Sequence, residues 1–174
     1  MILIYRIRRL VSRPTYELNM SEWLPLDEYA DLPPLGAHYD HGGIRFRYPN
    51  DWTLTEQHHG DESVITVQSP ETAFWSISIF RDRPFAEHVM ESALDAFRDE
   101  YAEFDVYPSS QTIRGHDAVA RDIEFVCLEL LNSAFLRAFE TDRATVLILY
   151  QANDSELESL RTVMEHISAS LKLD

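Results

Sequence analysis

Cysteine and glycine are both scarce in this sequence, with one cysteine and five glycines among 174 residues. A lone Cys127 excludes an intrachain disulfide and a thiolate metal cluster. It falls in a strand-like run, where a single thiol reads as a small buried hydrophobe. The glycines (Gly36, Gly42, Gly43, Gly60 and Gly115) all stand at turn-like positions. None is left to cradle a phosphate or to let a cofactor approach the backbone, and no cofactor is expected. The sequence also lacks a G-x-S-x-G elbow, an H-E-x-x-H helix and a C-x-x-C pair, the local signatures of hydrolase, zinc-protease and redox chemistry. No catalytic residue emerges, and the expectation is a protein that is not an enzyme. No apolar run approaches the ~20 residues needed to cross a bilayer. The stretch Met1-Ile2-Leu3-Ile4-Tyr5 is too short for a signal-peptide core, and its charges follow it. A cytoplasmic location is the reading that follows.

Lysine is reduced to Lys172, and bases as a class are outnumbered by acids, 15 to 30. The imbalance is uneven. Residues 1–20 carry +3, from Arg6, Arg8, Arg9 and Arg13 against Glu17, whereas the remainder carries −18. A body this acidic repels phosphates, which disfavours nucleic acid and anionic membrane surfaces as partners. A basic protein partner is compatible with it. Apolar residues make up 45% of the chain and aromatics 11%, enough for a substantial core in one domain.

Residues 1–36 read as an N-terminal extension: a basic stretch with a second candidate start at Met20, then an extended arm with Pro25, Pro33 and Pro34. Residues 37–174 read as a single domain. Gly42-Gly43 marks a hairpin, and Pro49-Asn50-Asp51 and Gly60-Asp61 break the chain again, leaving strands at 52–58 and 63–68. Over 73–80, Trp75, Ile77 and Ile79 alternate with Phe74, Ser76, Ser78 and Phe80 in the period of a strand. The period then changes. Phe85, Val89, Ala93, Phe97 and Tyr101 recur every four residues, predicting an amphipathic helix with Pro84 in its first turn and Asp82 as its cap. Glu87, Glu91, Asp95 and Asp99 form its solvated face.

Strands are predicted at 108–113, 118–129, 134–140 and 144–151, with turns short enough to make neighbours antiparallel. Val146-Leu147-Ile148-Leu149 is apolar on both faces and belongs in a central strand. Ser155 and Glu158 form a capping box for a final helix whose stripe is Leu157, Leu160, Met164, Ile167 and Leu171.

Three stretches then bear on architecture: Gly43-Ile44-Arg45-Phe46-Arg47-Tyr48-Pro49-Asn50-Asp51-Trp52, Ile113-Arg114-Gly115-His116-Asp117-Ala118-Val119, and Ser170-Leu171-Lys172-Leu173. In order and spacing the sequence from Gly43 to Leu173 resembles the fold shared by PsbP and the Ran-binding Mog family, and small bacterial domains related to them. The resemblance implies an α+β fold, a central antiparallel sheet of about six to eight strands flanked by helices. It implies a binding protein without an active site, and one bacterial branch looks like chaperones for secretion effectors. Trp52, Gly115 and Ala118 match positions of structural use. Photosynthetic and Ran-binding roles do not follow from a shared fold.

Two functional readings remain. The first is a non-catalytic protein-binding module, an adaptor or chaperone, possible also as a homodimer. Its partner would be basic or carry an exposed apolar segment, and its candidate contacts are the aromatics outside the helical stripes: Phe74, Trp75, Phe80, Phe135 and Phe139. The alternative is a small-ligand or metal-binding protein, or an enzyme, with a pocket between sheet and helix. Its metal candidates are His38 and Asp40, which share a strand face; a third ligand from the 52–58 strand would lie about two strands away, beyond the reach of a zinc ion with bonds of about 2 Å. Asp122 and Glu124 also share a strand face, and read as a partly exposed sheet surface rather than an acid–base pair.

Overall fold

The computed structural model describes residues 35–174; the basic stretch and most of the expected arm lie outside that range. Two sheets are present. The small one contains β1 (Ala37–His41), β2 (Ile44–Tyr48) and β10 (Lys172–Leu173) in the order β1-β2-β10. The large one has seven antiparallel strands: β3 (Thr53–His59), β4 (Glu62–Gln68), β5 (Phe74–Phe80), β6 (Phe104–Ile113), β7 (His116–Cys127), β8 (Leu130–Glu140) and β9 (Thr145–Asn153). Their order is β3-β4-β5-β9-β8-β7-β6. Helices α1 (Ala86–Glu100) and α2 (Asp154–Ser170) complete the described chain.

The large sheet separates two apolar layers. On one face α1 places Val89, Met90, Ala93, Leu94 and Phe97 against Ile123, Phe125, Leu136 and Leu149. Burying each such large side chain contributes about 1.5–3 kcal/mol. On the other face α2, through Val163, Met164 and Ile167, joins Tyr39, Ile44 and Phe46 of the small sheet over Trp75, Ile77, Phe135 and Ile148. The alternation expected in β5 is the division between these layers, since Trp75, Ile77 and Ile79 belong to one and Phe74 and Phe80 pack against the other. β9 is the middle strand of seven, and Val146 to Leu149 are buried on both faces.

Four two-residue turns set strand register. Gly42-Gly43, Gly60-Asp61 and Arg114-Gly115 each use a glycine at positive φ, as tight hairpins demand. The fourth is Leu128-Glu129, between Cys127 and its partner Leu130. Its φ values are 52° and 66°, the left-handed region, without a glycine. The expected strand 118–129 therefore ends two residues early, and the next begins at Leu130 rather than Ala134. Gly36 stands outside the turns: a Cβ there would lie 2.7 Å from Asn50 Cγ, so a larger residue would require the Asn50 side chain to move.

Both helix starts differ from expectation. Asp82 does not cap α1; the Ala86 amide donates to Glu140 Oε1 at 3.0 Å, a carboxylate brought from the end of β8. The cap of α2 is Asn153, two residues before Ser155, and its side chain accepts from the Glu156 amide. Glu156 is buried and gathers the Thr72 and Ala73 amides and Asn153 Nδ2. It thereby ties α2 to the loop before β5.

Candidate protein-interaction surface

Five large apolar side chains are exposed among the described residues, and four of them occupy one hairpin tip. Leu128 is 90% exposed, Val126 59%, Leu130 49% and Leu131 43%. Val126 and Leu131 are cross-strand partners on one face, Cys127 and Leu130 on the other, with Leu128 at the apex. The apolar surface thus continues around both sides of the β7–β8 turn.

The base of this hairpin is held firmly. Phe125, two residues before Cys127, lies 4.3 Å from the Tyr101 ring and 5.4 Å from Phe97 at the end of α1. Asn132 Nδ2 donates to Leu130 O at 3.0 Å, and Asn132 pairs with Asn153 of β9. Cys127 is half-buried beside Tyr101 rather than sunk in the core as expected. Burial first, and then the neighbouring Cys127 and Glu100, push the Tyr101 hydroxyl up to about 12.

Charge around the tip has one sign. No base occurs between Arg121 and Arg137, whereas Asp122, Glu124 and Glu129 do. Asp105 stands across from Glu124 on β6, and Asp154 follows Asn153.

Further along the hairpin, on the α2 side, lies a polar cluster. Buried Arg137 meets Asp122 at 2.7 Å, donates to Gln111 Oε1 at 2.6 Å and to the carbonyls of Arg121 and Leu136. Phe135 stacks on Tyr150 at 4.9 Å, and the Arg161 guanidinium lies over the Phe135 ring, 4.6 Å from its centroid. Nε and Nη1 of Arg137 are engaged within the sheet, so this cluster fixes strands β6, β7 and β8 together. Asp122 and Glu124 share a face, as their spacing required, but Asp122 is committed to Arg137.

The aromatic contacts singled out in the sequence are not surface groups. Trp75, Phe135 and Phe139 are buried, and Phe74 and Phe80 are half-buried against the α1 layer. They lie in a double-sided core, where sheet and helices consume the apolar area. His38 and Asp40 do share the outer face of the small sheet, opposite buried Tyr39, with Arg47 and Arg45 as their cross-strand partners. Tyr39 points the other way, its hydroxyl donating to Glu56 at 2.7 Å on β3. The sequence pair therefore faces away from Glu56 and His58, and among the described residues no three His, Cys, Asp or Glu side chains group as a metal site. His116 stacks on Phe139, with ring centroids 5.5 Å apart. The tip residues themselves carried no signal beyond an apolar run interrupted only by Glu129.

No protein-family model matches this sequence, and no curated protein matches it by sequence. Solved structures do match. PsbP from the cyanobacterium Synechocystis superposes with a TM-score of 0.55 at 14% identity, over 79% of this chain and 92% of that one. The chain has a PsbP-like fold. A Pseudomonas aeruginosa protein of unknown function shares it, with a TM-score of 0.53, 18% identity and coverage of 79% and 96%. So does a Bacteroides thetaiotaomicron protein (TM-score 0.55, 14% identity, 81% of this chain), of which this chain spans about half, 49%. At such identities the PsbP-like fold is what is shared, and function is a separate matter.

Proposed function

We propose that the protein is a non-catalytic protein-binding module that docks a partner on the β7–β8 tip. The observation that carries this reading is Leu128. A leucine at φ 52° sits in a conformation that suits glycine or asparagine, and it is 90% exposed. Left-handed backbone costs an ordinary residue about 1–2 kcal/mol, and exposing its side chain forgoes the gain from burial. Strain of this kind is retained where a surface has a use.

The occupant that fits is a protein segment with an apolar centre and basic flanks. Apolar side chains would cover Val126, Leu128, Leu130 and Leu131, while bases meet the surrounding Glu124, Glu129, Asp105 and Asp154. A homodimer through two such tips would place like charges together, and an anionic membrane would be repelled. A chaperone that shields apolar client segments would use such a tip in the same way.

Synthetic peptides with a Leu-rich centre and either Arg or Glu flanks test this by fluorescence anisotropy. The Arg-flanked peptide is expected to bind, to weaken with salt, and to lose binding to a Leu128→Ser, Leu131→Ser variant. Equal binding of both peptides, or an unchanged variant, would refute the docking site. Concentration-dependent self-association abolished by the same variant would replace the partner with a second copy.

A further inference from the structure

A second site lies at the opposite end of β8, eleven residues and roughly 35 Å from the tip at ~3.3 Å per residue. There the small sheet and the ends of β5 and β9 line an open cavity of about 270 Å³. Its floor is apolar, built from Ile44, Ile79, Val146 and Leu173, and Arg81 and Arg143 stand in its wall. We propose that this cavity binds a small organic carboxylate with a compact apolar body, its anionic group held by the two guanidinium groups.

The two arginines are set up for such a role. Among the described residues neither is ion-paired, although the chain carries a net charge of −15. The acid in the same wall, Asp174, is already neutralised by Arg45, which contacts both of its carboxylate oxygens at 2.6 and 2.5 Å. Arg81 is oriented by a chain of hydrogen bonds. Its Nη1 donates to Ser63 Oγ at 2.8 Å, and Ser63 Oγ lies 3.0 Å from His58 Nδ1. His58 Nε2 lies 2.8 Å from Glu56 Oε1, which also accepts from Tyr39. With His58 neutral, one consistent set of donors runs from Arg81 to Ser63 and from Ser63, His58 and Tyr39 toward Glu56. Glu56 is thus satisfied without Arg81, whose other donors remain available.

Arg143 is placed by its turn. Thr141 accepts from the Arg143 and Ala144 amides through its hydroxyl oxygen, and its amide and hydroxyl both donate to Ala144 O. The pinned turn fixes the backbone from which the Arg143 side chain leaves, and both arginines line the same cavity. Guanidinium groups in one cavity wall suit a planar carboxylate, and the apolar floor selects what is attached to it. The size admits a ligand of a few carbon atoms, either a free acid or the terminal carboxylate of a peptide ending in an aliphatic residue.

Titration of 15N-labelled protein with 4-methylpentanoate, 4-methylpentanamide and N-acetyl-leucine tests this. Saturable shifts at Gly42, Gly43 and Ala144 are expected with the acid and not with the amide. Arg81→Gln and Arg143→Gln, both at exposed side chains, should each weaken binding about tenfold, as expected for a lost charge-assisted hydrogen bond. Tighter binding of N-acetyl-leucine than of the free acid would assign the site to peptide termini, the reverse to free acids. Equal shifts with acid and amide, or none that saturate, would overturn the proposal. The tip docking site stands or falls independently of this result.

Discussion

Asn153 and Glu156 close on one another across the first turn of α2. Asn153 Oδ1 accepts from the Glu156 amide at 3.1 Å, and Asn153 Nδ2 donates to Glu156 Oε2 at 2.7 Å. The carboxylate then reaches the Thr72 and Ala73 amides at 3.1 and 3.2 Å. A Glu156→Ala substitution leaves the buried Ala73 amide and Asn153 Nδ2, with the half-buried Thr72 amide, without this acceptor and should destabilise the protein by about 3 kcal/mol. Ser155→Ala, which removes the residue that sequence spacing offered as the cap, should cost much less, about 0.5 kcal/mol. Urea denaturation midpoints compare the two, and equal losses would contradict the role given to Glu156.

The corresponding comparison at α1 sets Glu140 against Asp82. Glu140 accepts from the Ala86 amide, while α1 has no side-chain cap of its own. Glu140→Ala is expected to lower stability by about 1 kcal/mol, in the range of a lost helix cap. Asp82→Ala should leave the denaturation midpoint nearly unchanged.

The Leu128-Glu129 turn makes a prediction of opposite sign. Replacement by Asn-Gly supplies residues suited to two successive positive φ values and should stabilise the protein by about 1 kcal/mol. The same change removes the most exposed apolar side chain of the tip, so it should raise the melting temperature while weakening binding of an Arg-flanked apolar peptide. A variant that gains stability and keeps full affinity would separate the strain from the function proposed for it.

Alkaline pH should weaken the fold through its buried phenols. Tyr101 is pushed up to about 12, chiefly by burial, and burial likewise raises Tyr39 and Tyr150. A group whose folded pKa exceeds its unfolded value near 10 stabilises fully below pH 10, and that contribution is lost as pH rises toward the folded value. Stability should therefore fall between pH 10 and 12, and Tyr101→Phe should make this decline shallower. Absorbance titration at 295 nm together with denaturation at each pH checks both statements.

Much of the architecture is legible in single residues. Phe85, Val89, Ala93 and Phe97 announce α1 because a four-residue period has no other geometry to serve. Val146 to Leu149 announce a central strand because only a doubly covered strand can bury both faces. The caps are hidden for a different reason. Glu140 lies 54 residues from Ala86 in the chain, and Glu156 lies 83 from Ala73, so local spacing favours the nearer Asp82 and Ser155 instead. The tip is hidden because its turn has no glycine, asparagine or proline to mark it. Val126 and Leu130-Leu131 then read as interior strand, and the aromatics Phe135 and Phe139 draw attention although the core absorbs them. An apolar residue at the surface and one in the core look alike until the turn between strands is placed.

The most direct test of the account is a residue-resolved titration of the protein with the Arg-flanked apolar peptide, followed by amide chemical shifts. The docking site predicts that the largest shifts fall on Val126 to Leu131, with Glu124 and Asp105 beside them, and that they vanish in the Leu128→Ser, Leu131→Ser variant. Shifts centred elsewhere, with the tip unmoved, would contradict it.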